Sequence, residues 1–117
     1  MVNKEILDGN KLIAEFVSGK MIVENYHGIN IIKFPNESIF DLNGLKYHSS
    51  WDWLMPVVEK IENVLNGEVS VIISEASCGI NYCAIYSVSV ESNTKIEAIW
   101  LACVNFIAWY NLQHNKQ

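Results

Sequence analysis

Arginine is absent from this chain: all eight of its basic residues are lysine. The planar fork that grips phosphates and base edges bidentately is therefore missing. With a net charge of −5 there is also no basic stripe to neutralise a nucleic-acid backbone, so direct nucleic-acid binding is not expected. Other absences narrow the field further. No glycine loop of the phosphate-cradling kind, no G-x-S-x-G and no H-E-x-x-H occurs. The first residues lack a charged segment followed by an apolar one, so no secretion signal is expected. The longest apolar stretch, Ile96 to Tyr110, is interrupted by Glu97 and Asn105 and is short for a membrane span, which points to a soluble protein. No Ser/Pro-rich linker, repeat or low-complexity block divides the chain, and 117 residues suit one domain spanning 1–117.

Cysteine is scarce and odd in number: Cys78, Cys83 and Cys103. Reduced, buried thiols in a cytoplasmic protein are the expectation, and a Cys78–Cys83 disulfide across a hairpin would need an oxidising compartment. The C-x4-C spacing of Cys78 and Cys83 is loose for metal ligation and has no second pair, so no metal or cofactor is expected. A cysteine nucleophile would need a base, and His27, His48 and His114 stand in no motif. A catalytic centre is not expected.

What the sequence has in quantity is apolar side chains, half of all residues, against 18% charged. That suffices for an independent core. Ile6, Leu12, Ile13, Phe16 and Val17 recur at helical spacing, closed by Gly19 as a C-terminal cap, with Gly9 an internal weak point that could delay the start until after Asp8. Met21 to Tyr26 and Ile29 to Phe34 read as a hairpin ended by Pro35-Asn36, and Asp41 to Gly44 carries an Asn-Gly turn signal suggesting a second small hairpin. Ser49 and Ser50 offer caps for a helix over 50–65, with Ser49 and Asp52 spaced as a capping box. Leu54, Val57, Val58, Ile61 and Leu65 share a face of it, and Pro56 predicts a kink or an irregular first turn. Val69, Val71 and Ile73 alternate as a strand. Ile80 to Val90 alternates as another, with Ser77-Cys78-Gly79 as the turn between them. Thr94 and Glu97 form a T-x-x-E box opening a last helix over 95–112. The predicted fold is α+β: two or three hairpins in an antiparallel sheet with three helices, in the order α-ββ-α-ββ-α, the last two helices packed on one face. Their contact is expected through Leu54, Val58, Ile61, Trp100, Val104 and Ile107.

Two groups of residues are candidates for a site. Tyr47, His48, Trp51, Asp52 and Trp53 lie in one stretch where aromatics could line a pocket and His48 and Asp52 could share a proton or a metal. With no third ligand nearby, the competing reading is that the Trp rings wall the core beside a capping turn. On the last helix, Ile96, Trp100, Cys103, Val104, Ile107 and Tyr110 cluster on one side. Leu101, Asn105, Ala108 and Leu112 fall opposite, with Trp109 at their border and only Glu97 as a nearby charge. Apolar side chains on an outward helix face mark an interface, either for self-association or for a foreign protein. The alternative is that the helix is buried on all sides.

Three blocks resemble a family of small, uncharacterised proteins of bacteriophages and prophages. They are Asn10-Lys11-Leu12-Ile13-Ala14-Glu15-Phe16; Tyr47-His48 with Ser50-Trp51-Asp52-Trp53-Leu54-Met55-Pro56-Val57-Val58-Glu59-Lys60-Ile61-Glu62; and Lys95-Ile96-Glu97-Ala98 with Phe106-Ile107 and Trp109-Tyr110-Asn111. The family often has Glu and Lys where this chain has Asn105 and Ala108. The resemblance implies a context, the bacterial host's cytoplasm, rather than a mechanism. In that context a small non-enzymatic protein would block a host defence protein, as anti-CRISPR proteins do, or sequester a nucleotide immune messenger. An accessory or structural role is a third reading. The missing arginines count against a phosphate ligand, and the negative charge favours a protein target with a basic groove.

Overall fold

A computed structural model describes residues 3–18, 22–26, 29–33, 39–41 and 44–114. The first helix, α1 (Asn3–Ser18), starts early and runs through Gly9 without a break. Gly9 is there for space: a Cβ built on it would lie 2.3 Å from Cζ2 of Trp100, so only glycine lets the indole lie against the helix. The Gly19 cap, His27 and the Pro35-Asn36 stop lie outside the described residues.

The order of elements corrects the expected α-ββ-α-ββ-α. Strands β1 (Ile22–Tyr26), β2 (Ile29–Lys33) and β3 (Ile39–Asp41) form one antiparallel sheet in sequence order, so the first hairpin gains a third strand, Lys33 facing Ile39. After α2 (Trp51–Asn63), strands β4 (Val69–Ser74), β5 (Ser77–Tyr82) and β6 (Tyr86–Glu91) form a second antiparallel sheet, followed by α3 (Lys95–His114). The architecture is α+β with three helices, but it holds two three-stranded antiparallel sheets in the order α-βββ-α-βββ-α.

The expected single strand from Ile80 to Val90 is two strands because of parity. A three-residue turn, Cys83 to Ile85, brings Tyr86 opposite Tyr82, so the inward pattern at 80, 82, 86, 88 and 90 keeps its period of two across the turn. Cys83 takes φ +49° there, a left-handed conformation that no glycine announces. The preceding turn is Glu75-Ala76, with φ +34° at Glu75. Ser77, Cys78 and Gly79, expected as the turn, belong to β5.

Helix α2 is shorter than expected. Ser50, not Ser49, stands at the N-cap and makes no side-chain capping bond, so Ser49 of the expected Ser49–Asp52 box lies one residue before the cap. The Ser50 carbonyl accepts from the N–H groups of both Trp53 (3.2 Å) and Leu54 (3.0 Å), a tightened first turn. Pro56 is accommodated within an uninterrupted helix. The chain leaves through Leu65, Asn66 and Gly67, all with positive φ. At α3 the Thr94 Oγ1 accepts from the Glu97 N–H (3.2 Å), one half of the capping box. The Glu97 carboxylate takes a bond from the Ser92 hydroxyl instead of reaching back.

The core lies between the helices and one face of the second sheet. That face carries Val69, Val71, Cys78, Ile80, Tyr82, Tyr86, Val88 and Val90. The other face carries Ser70, Ile72, Ser74, Asn81, Ser87, Ser89 and Glu91. Helix α3 packs on β5 and β6, α2 packs on β4 and α3, and α1 packs on α3. Leu54, Val57, Val58 and Ile61 of α2 are buried. On α3, Ala98, Ile99, Trp100, Ala102, Cys103, Phe106 and Ile107 are buried, while Ile96, Val104 and Tyr110 are half-buried. α3 is therefore enclosed on more sides than a one-sided stripe allows. Tyr86 meets Phe106 edge to face (5.7 Å) and stacks on Trp109 (4.5 Å), and Phe16 of α1 meets Tyr110 edge to face (5.7 Å).

Candidate functional site

The structure disperses the stretch 47–53 among core, surface and a contact with α1. Tyr47 is buried and meets Trp53 edge to face at 5.1 Å, so these two rings fill core volume. Trp51 and Asp52 are exposed on the first turn of α2. His48, half-buried, turns to α1 and not to Asp52. Its Nδ1 lies 2.9 Å from Nδ2 of Asn10.

Asn10 is the centre of this site. Its side chain is 1% exposed, the one buried polar side chain among the described residues. Oδ1 accepts from Trp100 Nε1 (2.8 Å), while Nδ2 donates to the Leu45 carbonyl (3.1 Å) and faces His48. The proton positions follow from donor inventory. An indole N–H can only donate, so Oδ1 must face Trp100 and the amide nitrogen must face His48. Nδ1 of His48 must then accept, which makes the imidazole neutral with its proton on Nε2. Burial acts in the same direction and holds the His48 pKa below its usual value. Three separate segments (α1, the 44–50 connection and α3) are thus joined by one fully satisfied amide. The sequence carried a signal for it: Asn10 falls between Ile6 and Ile13 on the apolar side of α1, where a polar residue has to find partners.

Beside this amide, α1 and α3 leave an open groove of about 320 Å³, lined by Leu12, Gly9, Trp100, Leu101 and Val104, with Glu5 and Asp8 at its rim. Asp8 is paired with Lys4 at 2.9 Å, a fully exposed bridge screened by solvent. Of the residues expected at an interface, Leu101 is half-buried and lines this groove, and Asn105, Ala108 and Leu112 are exposed, Leu112 at 64%. Trp109 faces the other way, against Tyr86 and Tyr82.

None of the three cysteines takes part in the Asn10 hydrogen bonds. Cys78 and Cys103 are buried, which pushes the Cys78 pKa to about 11 and the Cys103 thiol higher still. Cys83 is exposed in the β5–β6 turn, five residues along the chain from the inward-facing Cys78, and all three are free. Its thiol approaches Glu68 Oε2 at 3.5 Å, and burial and that carboxylate both raise its pKa. His114 stacks on Tyr110 (3.9 Å), and its Nδ1 lies 2.9 Å from the Tyr110 carbonyl oxygen. Among the described residues no three His, Cys, Asp or Glu side chains converge as a metal site, and no helix is long and apolar enough to cross a membrane.

In comparisons with known proteins, no family model, no curated sequence and no solved structure matches the chain.

Proposed function

We propose that this chain is a small non-catalytic binding protein that acts by docking on another protein through its α1–α3 side. The observation that carries the reading is the outward side of α3. Leu101, Asn105, Ala108 and Leu112 share one helix face, uncharged along its length, and that face opens at Leu101 onto the groove over Leu12 and Val104. A helix of a monomer with no partner would carry Lys and Glu at these positions. The groove combines an apolar floor with the carboxylates of Glu5 and Asp8, which suits an apolar anchor flanked by lysines or arginines on the partner. With Lys4 on Asp8, Glu5 leaves the rim one net negative charge, which disfavours phosphate and weighs against sequestration of a nucleotide messenger.

The resemblance to phage-encoded proteins supplies the class of target. A host defence protein in the bacterial cytoplasm, blocked in the manner of an anti-CRISPR protein, is the partner this reading proposes. The test compares three forms of the tagged chain expressed in a bacterial host: wild type, Leu101→Lys/Leu112→Lys, and Ala108→Lys/Leu112→Lys. The last pair touches only exposed positions and leaves the core intact. A host protein recovered with wild type and lost with the Ala108/Leu112 variant, at unchanged circular dichroism, supports the reading. Equal recovery with all folded forms overturns it.

A further inference from the structure

Two sheet edges remain open in the second sheet, and they differ in chemistry. Among the described residues β4 pairs only with β5, and β6 only with β5, so the far edge of each carries unpaired backbone N–H and C=O groups. β6 presents Ser87, Ser89 and Glu91 on its open face. β4 reads Val-Ser-Val-Ile-Ile-Ser, with no lysine, proline, glycine or carboxylate among its residues. Its Ile72 is 59% and Ile73 37% exposed. Proteins protect such edges with charge, proline or a bulge, and β4 has none of these. Two further large exposed apolar side chains, Trp51 and Met55, lie on α2, the helix packed against β4.

We propose that the chain forms a two-fold homodimer by antiparallel pairing of β4 with β4 of a second copy, joining two three-stranded sheets into one. The occupant follows from self-complementarity. Val69, Val71 and Ile73 point to the helix-covered face, and Ser70, Ile72 and Ser74 point away. Opposite residues of an antiparallel pair project to the same face, so a two-fold axis keeping both helix layers on one side must pass through a residue. Centred on Ile72, the axis sets that side chain beside its own copy, Val71 opposite the second copy's Ile73, and Ser70 opposite the second copy's Ser74. Across residues 70–74 each exposed isoleucine meets an aliphatic side chain and each serine a serine, and the pairing ends where Val69 falls opposite Glu75 in the second copy's turn. This inference stands apart from the α3 docking face, which lies on a different element.

The experiment is light scattering on the purified full chain across the micromolar range, followed by a register test. Wild type is expected at twice the 13.3 kDa chain mass. Ile72→Lys, a change on the exposed face, is expected at the single-chain mass with unchanged circular dichroism. In a Cys83→Ser background, Ile72→Cys is expected to form a disulfide-linked dimer on mild oxidation, and Ser70→Cys, whose opposite residue is Ser74, is not. A monomeric wild type overturns the proposal, as does a dimer that survives Ile72→Lys. Equal cross-linking from positions 70 and 72 overturns the register.

Discussion

Replacing Asn10 by leucine removes the one buried amide among the described residues while keeping its branched shape, with two bulkier methyl groups in place of the amide O and N. In the folded protein that leaves the Trp100 indole N–H and the Leu45 carbonyl without partners, both on residues about 1% exposed. A buried polar group without a partner costs about 1–3 kcal/mol, so two of them should destabilise the fold by about 2–6 kcal/mol, with some offset from the added apolar burial. His48 adds little, because it is half-buried and water can replace the amide at Nδ1. Trp100→Phe strands Asn10 Oδ1 and opens a small cavity, for a cost of about 2–4 kcal/mol. The double variant no longer has an orphaned indole or an orphaned Oδ1. It should therefore fall short of the summed single costs by about 1–2 kcal/mol. Urea unfolding followed by far-UV circular dichroism resolves this, since a domain of this kind has only about 5–15 kcal/mol to lose. Strict additivity, or an Asn10→Leu cost below about 1 kcal/mol, would refute the idea that this amide joins the three segments.

Protonation should act on the same network from the other side. Because the folded state holds the His48 pKa below its usual 6.5, the unfolded chain takes up its proton first. The contribution from neutral His48 is present above pH 6.5 and is lost as pH falls through the lowered folded value. His48→Asn should flatten stability against pH in that window, measured by urea midpoints. Gly9→Ala should destabilise despite alanine's better helix propensity, by about 1–3 kcal/mol, because its Cβ meets the Trp100 ring; a thermal midpoint that rises would contradict the packing described here. Ile61→Ala, at a fully buried position of α2, should cost about 2–5 kcal/mol in the same denaturation assay.

Local patterns in this sequence map well onto local structure, and the misreadings have physical causes. Leu54, Val57, Val58 and Ile61 lie on one side of a wheel and one side of α2, because that helix buries a single face. The same wheel works less well for α3. Ile99, Ala102 and Phe106 are buried along with Trp100, Cys103 and Ile107, since α1, α2 and the sheet enclose the helix from several directions. Trp109, placed at the border of the outward face, is instead drawn inward by Tyr86 on a strand that a one-dimensional pattern cannot position. The β5–β6 turn was hidden by an odd-length connection with no glycine or proline. The Asn10 network joins residues 90 positions apart, and only the anomaly of a polar residue on an apolar stripe hinted at it.

The claim that the outward side of α3 is a protein-docking face is tested most directly by photo-cross-linking in a living bacterial host. A benzophenone amino acid is placed at position 112, and in a separate chain at position 89 on the open face of the second sheet. The account predicts a covalent adduct with one host protein from position 112 and none from position 89. No adduct from position 112, or the same adducts from both, would contradict it.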